Sequence, residues 1–281
     1  MNRSLYQKVI RFIQIDFDYL KVSMPLMGKI KNILFTDWSI FKNLLINNNV
    51  KYRNSYNNLY IESDTPYATK TFLAATYDFY IETQRLSILP PKPIIIDIGA
   101  NIGQYSIAVK SFFPKAELYS VEPDPNVFKL LMNNTKSLKS ITTYNYALAS
   151  KTGSIDFYVN KEFSEWSSII KQGYNVNKIR VKAIKGDTLF ANLKYIDLLK
   201  IDVEGAELEV IRGLVKTLKK SKYLLIELSL SRNKIDPGSS TLLNFLLFNN
   251  FYFYSVGRIF SDGIGRNQGA VDIIFKNKLY D

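Results

Sequence analysis

From Ile94 onward the chain alternates short apolar runs with stretches of helical period. The runs are IIIDI (94–98), AELYSVE (116–122), ITTYNYAL (141–148), GSIDFYV (153–159), DLLKIDV (197–203), YLLIEL (223–228), FYFYSV (251–256) and AVDIIF (270–275). Helical windows at 104–112, 126–139, 205–220 and 239–249 separate them. Continuous apolar runs predict strands covered on both faces, and strands that alternate with helices predict parallel crossovers. The pattern therefore predicts an α/β fold on a doubly wound, mostly parallel sheet. About a dozen residues with Gly257, Gly263, Gly265 and Gly269 and no helical period join the last two runs, which predicts an antiparallel pair at one sheet edge. Residues Ser154 to Val159 read as an extra edge strand.

The pattern upstream is different. Leu5, Val9, Ile13, Phe17 and Leu20 recur at helical spacing, with Lys8, Arg11 and Lys21 on other faces. Such a stripe packs on the domain behind it or lies on a membrane. The Asn-rich segment 47–60 reads as a loop or short hairpin. A helix is predicted over 66–86, beginning at Pro66 and carrying Phe72, Leu73, Tyr77 and Tyr80, until LPPKP (89–93) stops it and launches the first strand. The expected organisation is an N-terminal helical, basic extension over 1–63 and a catalytic domain over 64–281.

Composition narrows the chemistry. The 281 residues contain no cysteine and no histidine. Thiolate and imidazole metal sites, Cys-His pairs and Ser-His-Asp triads are excluded, and acid–base work falls to Asp, Glu, Lys or Tyr. The net charge is +12, and residues 1–60 hold nine Lys/Arg and three Asp/Glu, or +6. That excess suits an anionic partner or serves solubility alone. No apolar stretch approaches the roughly 20 residues of a spanning helix. Lys8, Arg11, Asp16 and Asp18 interrupt the start, unlike the core of a signal peptide. A cytoplasmic protein is expected, with peripheral membrane contact through the basic start as an option.

The first strand ends in Asp-Ile-Gly-Ala-Asn-Ile-Gly. Gly99 and Gly103 allow a tight turn and close ligand approach, but Asn101 stands where a dinucleotide fingerprint needs its second glycine. Asp97 would repel a pyrophosphate and suits a cationic ligand, such as the sulfonium and ammonium of S-adenosylmethionine. Glu122 ends the second strand, 122 − 97 = 25 residues on, close to the offset at which this fold places an acid on a ribose diol. The lesser alternative is that it only caps a turn before Pro123.

DIGANIGQYS (97–106), VEPDP (121–125), NYALAS (145–150), DLLKIDVEGAELEVIRG (197–213) and LLIEL (224–228) together resemble the FkbM family of S-adenosylmethionine-dependent methyltransferases, over about residues 64 to 230. The resemblance implies a class I methyltransferase sheet and O-methylation of hydroxyls on sugars, glycolipids or related natural products. It implies that Asp97, Gly99, Asn101 and Gly103 cradle the methionine part, and that Glu122 binds the ribose. Pro123, Asp124 and Phe128 would wall the adenine side, Asn145 and Ala147 would contact the adenine ring, and Glu82 would help to hold the amino group. The family's acidic pair after Thr-Leu is replaced by Phe190-Ala191, which puts a substrate role for Asp187-Thr188-Leu189 in doubt.

Methyl transfer to oxygen needs alignment and removal of a proton. Lys200, Asp202 and Glu204 lie at the carboxyl end of the fourth strand, on one face if the strand persists. Asp202 or Glu204 is the candidate base and Lys200 the group that steadies the alkoxide. Alternatively, Lys200 and Asp202 form a structural ion pair, with Glu204 opening the next helix. Glu227 is read as closing the fifth strand, for substrate binding or for capping. Trp166, Ser167 and Ser168, in the polar insertion 160–178, suit a sugar or simple packing. No metal site is predicted and the acceptor is a small molecule or saccharide. The rivals are an RNA methyltransferase, which the charge favours although no RNA-binding module accompanies it, and a non-catalytic cofactor-binding scaffold.

Overall fold

The computed structural model describes residues 13–22, 26–45, 52–56, 59–63, 73, 89–160, 167–171, 176–231, 234–235, 237–261 and 268–281. The helix expected over 66–86, apart from Leu73, lies outside the described residues, as do Glu82 and Trp166.

The N-terminal part comprises helix α1 (13–20), helix α2 (Leu26–Leu45) and a hairpin of β1 (Tyr52–Tyr56) and β2 (Leu59–Ser63). The main sheet then begins with β3 (Ile94–Ile98), α3 (Gln104–Phe112), β4 (Glu117–Val121), α4 (Pro125–Thr135) and β5 (Ile141–Tyr144). A second, three-stranded sheet follows from β6 (Ala147–Leu148), β7 (Gly153–Asn160) and β8 (Val176–Ile184). The chain returns through α5 (Gly186–Leu189) to β9 (Ile196–Ile201), then α6 (Glu207–Arg212), α7 (Val215–Lys219) and β10 (Ser221–Ser231). It ends with β11 (Lys234–Ile235), α8 (Pro237–Phe248), β12 (Phe251–Ser261) and β13 (Gln268–Asn277).

The main sheet has the order β12-β13-β10-β9-β3-β4-β5, with β11 paired to β10. The pairs among β10, β9, β3, β4 and β5 are parallel. β13 runs against both β10 and β12. The reversed strand therefore lies one place in from the edge, and β12, the edge itself, runs with the parallel set. This is the class I methyltransferase arrangement, with strand order reversing on either side of β3.

The apolar runs are explained by two cores, one on each face of the sheet. Ile96, Ile98, Leu199 and Ile201 belong to one, and Ile95 and Leu198 to the other, which also holds Tyr105 and Val109 of α3. Alternation sends successive side chains to opposite cores, and each buried isoleucine contributes about 2 kcal/mol.

Several expectations are corrected. The run 141–148 breaks at Asn145, and only its first half joins the main sheet. Residues 154–159 belong to the second sheet, where β7 pairs with β8 rather than extending the main sheet's edge. The window 205–220 splits at Gly213, where an added Cβ would stand 2.2 Å from the Ala149 carbonyl oxygen, so the chain crosses β6 too closely for one continuous helix. In α1 the predicted stripe faces outward. Ile13 and Phe17 are exposed, whereas Ile15, Tyr19 and Val22 pack with Ile102, Ile107, Val127 and Leu130.

Candidate active site

Two turns meet at the carboxyl ends of β3 and β9. The first, 99–103, carries three left-handed residues, Gly99, Asn101 and Gly103. Gly99 and Ala100 both donate their N–H to the carbonyl of Val121 at 3.0 Å, which ties the turn to the end of β4. A Cβ on Gly99 would lie 1.7 Å from the Asp202 carbonyl oxygen, while the Asp202 N–H donates to Ile98. The second turn thus rests on the backbone of the first.

Glu122 locks the first turn. Its Oε2 accepts from the Asn101 N–H at 3.1 Å and its Oε1 from the Asp124 N–H at 2.8 Å. The Asn101 side chain accepts in turn from the Ile102 N–H and from Gln104 Nε2. Asn145 donates through Nδ2 to the carbonyls of Glu122 (2.8 Å) and Pro123 (3.0 Å), which fixes the segment beside it.

Two expected contacts take other roles. Asp124 is buried and caps α4 through the Asn126 N–H, which satisfies an otherwise orphaned donor at the helix start. Ala147 is buried in the second sheet's own core with Phe157 and Val181.

The second turn is richer in charge. Asp97 is wholly buried, and its Oδ2 accepts from the Ser106 hydroxyl, which also meets Ser120. Lys200 Nζ lies 3.5 Å from Asp97 Oδ1, 3.0 Å from Asp202 Oδ2 and 5.0 Å from the centre of the Tyr105 ring. The Lys200–Asp202 ion pair weighed as the structural alternative is therefore present, and the contact of Lys200 with Asp97 ties β9 to β3. Burial pushes the Asp97 carboxyl above its ordinary range, against the pull of Lys200 and the Ser106 hydrogen bond.

β9 ends at Ile201, so alternation does not carry Glu204 onto the face of Lys200. Glu204 (φ 54) and Gly205 (φ 89) instead form a left-handed turn. Nor does Glu204 open the helix, which begins at Glu207. The Glu207 carboxylate accepts from the Gly205 N–H at 3.0 Å, and burial raises its pKa against the stabilising backbone hydrogen bonds.

Glu227 does not close its strand, because β10 runs on to Ser231. It lies one residue beyond the last β9–β10 pair, Ile226–Ile201, and opposite Asp272 of β13. The registers Asp97–Lys200, Lys200–Leu225 and Glu227–Asp272 place all four charges on one sheet face, the one covered by α3. Desolvation first, then Asp202, Asp272 and Glu207, push the Glu227 carboxyl well above the usual glutamate range.

Sequence reasoning missed Glu207 and Asp272; the signals available were the acid two residues past Gly205 and the Asp in a run facing Glu227. Ser168 reaches the site, donating from its hydroxyl to the Val203 carbonyl at 3.1 Å and so docking the insertion on the second turn. Asp187 has a capping role, accepting from the N–H groups of Lys216 and Thr217 at the start of α7. Among the described residues no cluster of acids is arranged to hold a metal ion.

Residues 97–253 match the model of the methyltransferase FkbM domain. Over 172 residues the chain is 31% identical to the 2-O-methyltransferase NoeI of Sinorhizobium fredii, covering 55% of this chain and 71% of that protein. Over 157 residues it is 28% identical to the hexuronic acid methyltransferase AglP of Haloferax volcanii, covering 53% and 60%. Among solved structures, TYW2 of P. horikoshii in complex with MeSAdo aligns with 90% of this chain and 85% of that one, at 12% identity and a TM-score of 0.49. Matched over more than half its length, the chain belongs to the FkbM family of S-adenosylmethionine-dependent methyltransferases.

Proposed function

We propose that this enzyme transfers the methyl group of S-adenosylmethionine to a hydroxyl of a saccharide or saccharide-bearing acceptor. The residues present fit the cofactor. Glu122 follows β4 with its carboxylate held by the Asn101 and Asp124 N–H groups, and a carboxylate at this place suits the hydroxyls of a ribose. Asp97 Oδ1 pairs with Lys200, and the acids gathered around that one lysine, Asp97, Asp202 and Glu227, suit a cationic ligand. Gly99, Asn101 and Gly103 present backbone on the cofactor side, and Asn145 holds Pro123 where it can line the adenine. When bound, the sulfonium supplies an activated methyl group and a neutral thioether leaving group.

The chain's own part is to align the acceptor and take its proton. Asp202 is placed for this, with 43% of its side chain exposed and its carboxylate paired to Lys200. Lys200, anchored on its other side by Asp97, orients Asp202 and offsets charge that develops on the acceptor oxygen. Glu204 flanks Asp202 in a left-handed conformation costing about 1–2 kcal/mol, a strain that persists where side-chain position matters. Glu227 keeps its proton to higher pH than an ordinary glutamate and can donate a hydrogen bond to a sugar oxygen.

The observation that carries the reading is the contact of the two turns, which sets Glu122 and Asp202 on either side of one backbone junction. Relatives named for 2-O-methylation and for hexuronic acid methylation support a sugar hydroxyl as the acceptor. Mass spectrometry of glycans from cells with and without the gene tests it. One saccharide species should be a single methyl heavier when the gene is present, and Asp202→Asn should abolish that difference. An unchanged glycan profile, with the methyl group found on RNA instead, overturns the saccharide reading.

A further inference from the structure

Helix α2 is amphipathic in the inverted sense. Its inner face is polar: Lys29, Asn32 and Thr36 are buried. Lys29 Nζ donates to the carbonyls of Leu20 and Val22, Asn32 Nδ2 donates to the Tyr19 hydroxyl at 2.8 Å, and the Thr36 hydroxyl donates to the Asn32 carbonyl. Its outer face is apolar. Met27, Ile30, Leu34, Trp38 and Phe41 recur at three- and four-residue intervals and are all exposed, Met27 by 76%, Leu34 by 63% and Trp38 by 62%. Beside this stripe, Ile13, Phe17 and Leu20 of α1 face Ile30, Ile33 and Leu34 across an open groove of about 300 Å³, with Asp16 its one acid.

We infer that this face docks on an anionic phospholipid surface. Exposing a contiguous apolar stripe to water is unfavourable, so it marks an interaction surface. Charge selects the occupant. The first sixty residues carry +6, half of the whole chain's +12. An anionic surface attracts this charge, whereas a second copy repels it. Among the described residues of the two helices, Ile13, Phe17, Leu26, Met27, Ile30, Leu34, Trp38 and Phe41 are the exposed large apolar side chains, against roughly 20–30 residues a side in a stable protein interface. An exposed apolar helix face with a tryptophan on it matches what lies in a membrane interface plane. The helix pair also packs on Ile102 of the glycine turn, so docking would bring the cofactor end of the sheet close to the lipid surface.

The test is sedimentation of the full chain with vesicles of phosphatidylcholine alone or of phosphatidylcholine containing phosphatidylglycerol. The chain should pellet with the anionic vesicles, less so as salt rises, and remain in the supernatant with the neutral ones. The double variant Leu34→Asp, Trp38→Asp should bind more than roughly tenfold more weakly, because two apolar anchors are lost. Its thermal unfolding should be unchanged, since both side chains are exposed. The inference fails if the wild-type chain stays in the supernatant with anionic vesicles, or if the double variant pellets equally well. It also fails if light scattering shows a dimer that the double variant splits, since a second copy would then be the occupant. These outcomes are independent of the methyl acceptor.

Discussion

The two turns of the site solve one problem in different ways. Each holds left-handed residues, and each is tethered by a carboxylate that accepts a backbone N–H: Glu122 for the turn 99–103 and Glu207 for the turn 202–205. Glu122 reaches across from the next strand, whereas Glu207 is two residues from the N–H it accepts. The first turn is nearly all backbone. The second presents side chains, with Lys200 shared between Asp97 and Asp202. In the proposed function one side binds by shape and the other acts by charge, and substitutions should separate the two.

The largest effect is expected where the turns touch. Gly99→Ala combines a φ of +82 with a Cβ set 1.7 Å from the Asp202 carbonyl oxygen, so both turns must move. Thermal unfolding should show a loss on the order of 4 kcal/mol. A loss below about 1 kcal/mol would mean that the turns are not in contact.

Lys200→Met tests the charged side. It leaves Asp97 buried without its cation and should cost about 3 kcal/mol in stability. Adding Asp97→Asn should restore much of that loss. If the double variant is no more stable than Lys200→Met, the contact of Lys200 with Asp97 has no energetic weight.

Away from both turns, Asp187→Ala removes the cap of α7 and should cost about 1 kcal/mol in chemical denaturation. Activity per folded molecule should be unchanged, because Asp187 serves the helix and touches neither turn.

The smallest effect is a pH slope. Asp97, Glu207 and Glu227 all have raised pKa values, so the folded chain holds these protons more tightly than the unfolded chain. Their contribution is present below the ordinary carboxylate range and is lost as pH rises through the raised values. Glu227→Gln should flatten that decline in melting temperature. An unaltered slope would show that Glu227 titrates normally.

Much of the binding side was legible in the sequence. The strand Ile94–Ile98, the turn after it and Glu122 are local signals, because a strand buried on both faces is apolar throughout and its turn needs glycine. The acting side was legible only in part. Lys200 and Asp202 lie on one short run, but their relation to Glu227 and Asp272 depends on a strand order that brings β10 and β13 beside β9. β8 was missed because VNKIRVKAI sets its lysines and arginine outward on a half-solvated sheet and reads as a polar insertion. The inverted polarity of α2 hid its buried face in the same way, since Lys29 and Asn32 look like solvent residues until their partners are seen.

Calorimetric titration with S-adenosylhomocysteine asks whether the turn 99–103, locked by Glu122, is the cofactor site. The chain should bind one equivalent, and Glu122→Ala should weaken binding roughly a hundredfold, since both ribose hydrogen bonds and the tether on Asn101 are lost. No heat of binding, or equal affinity in the Glu122→Ala variant, would contradict it.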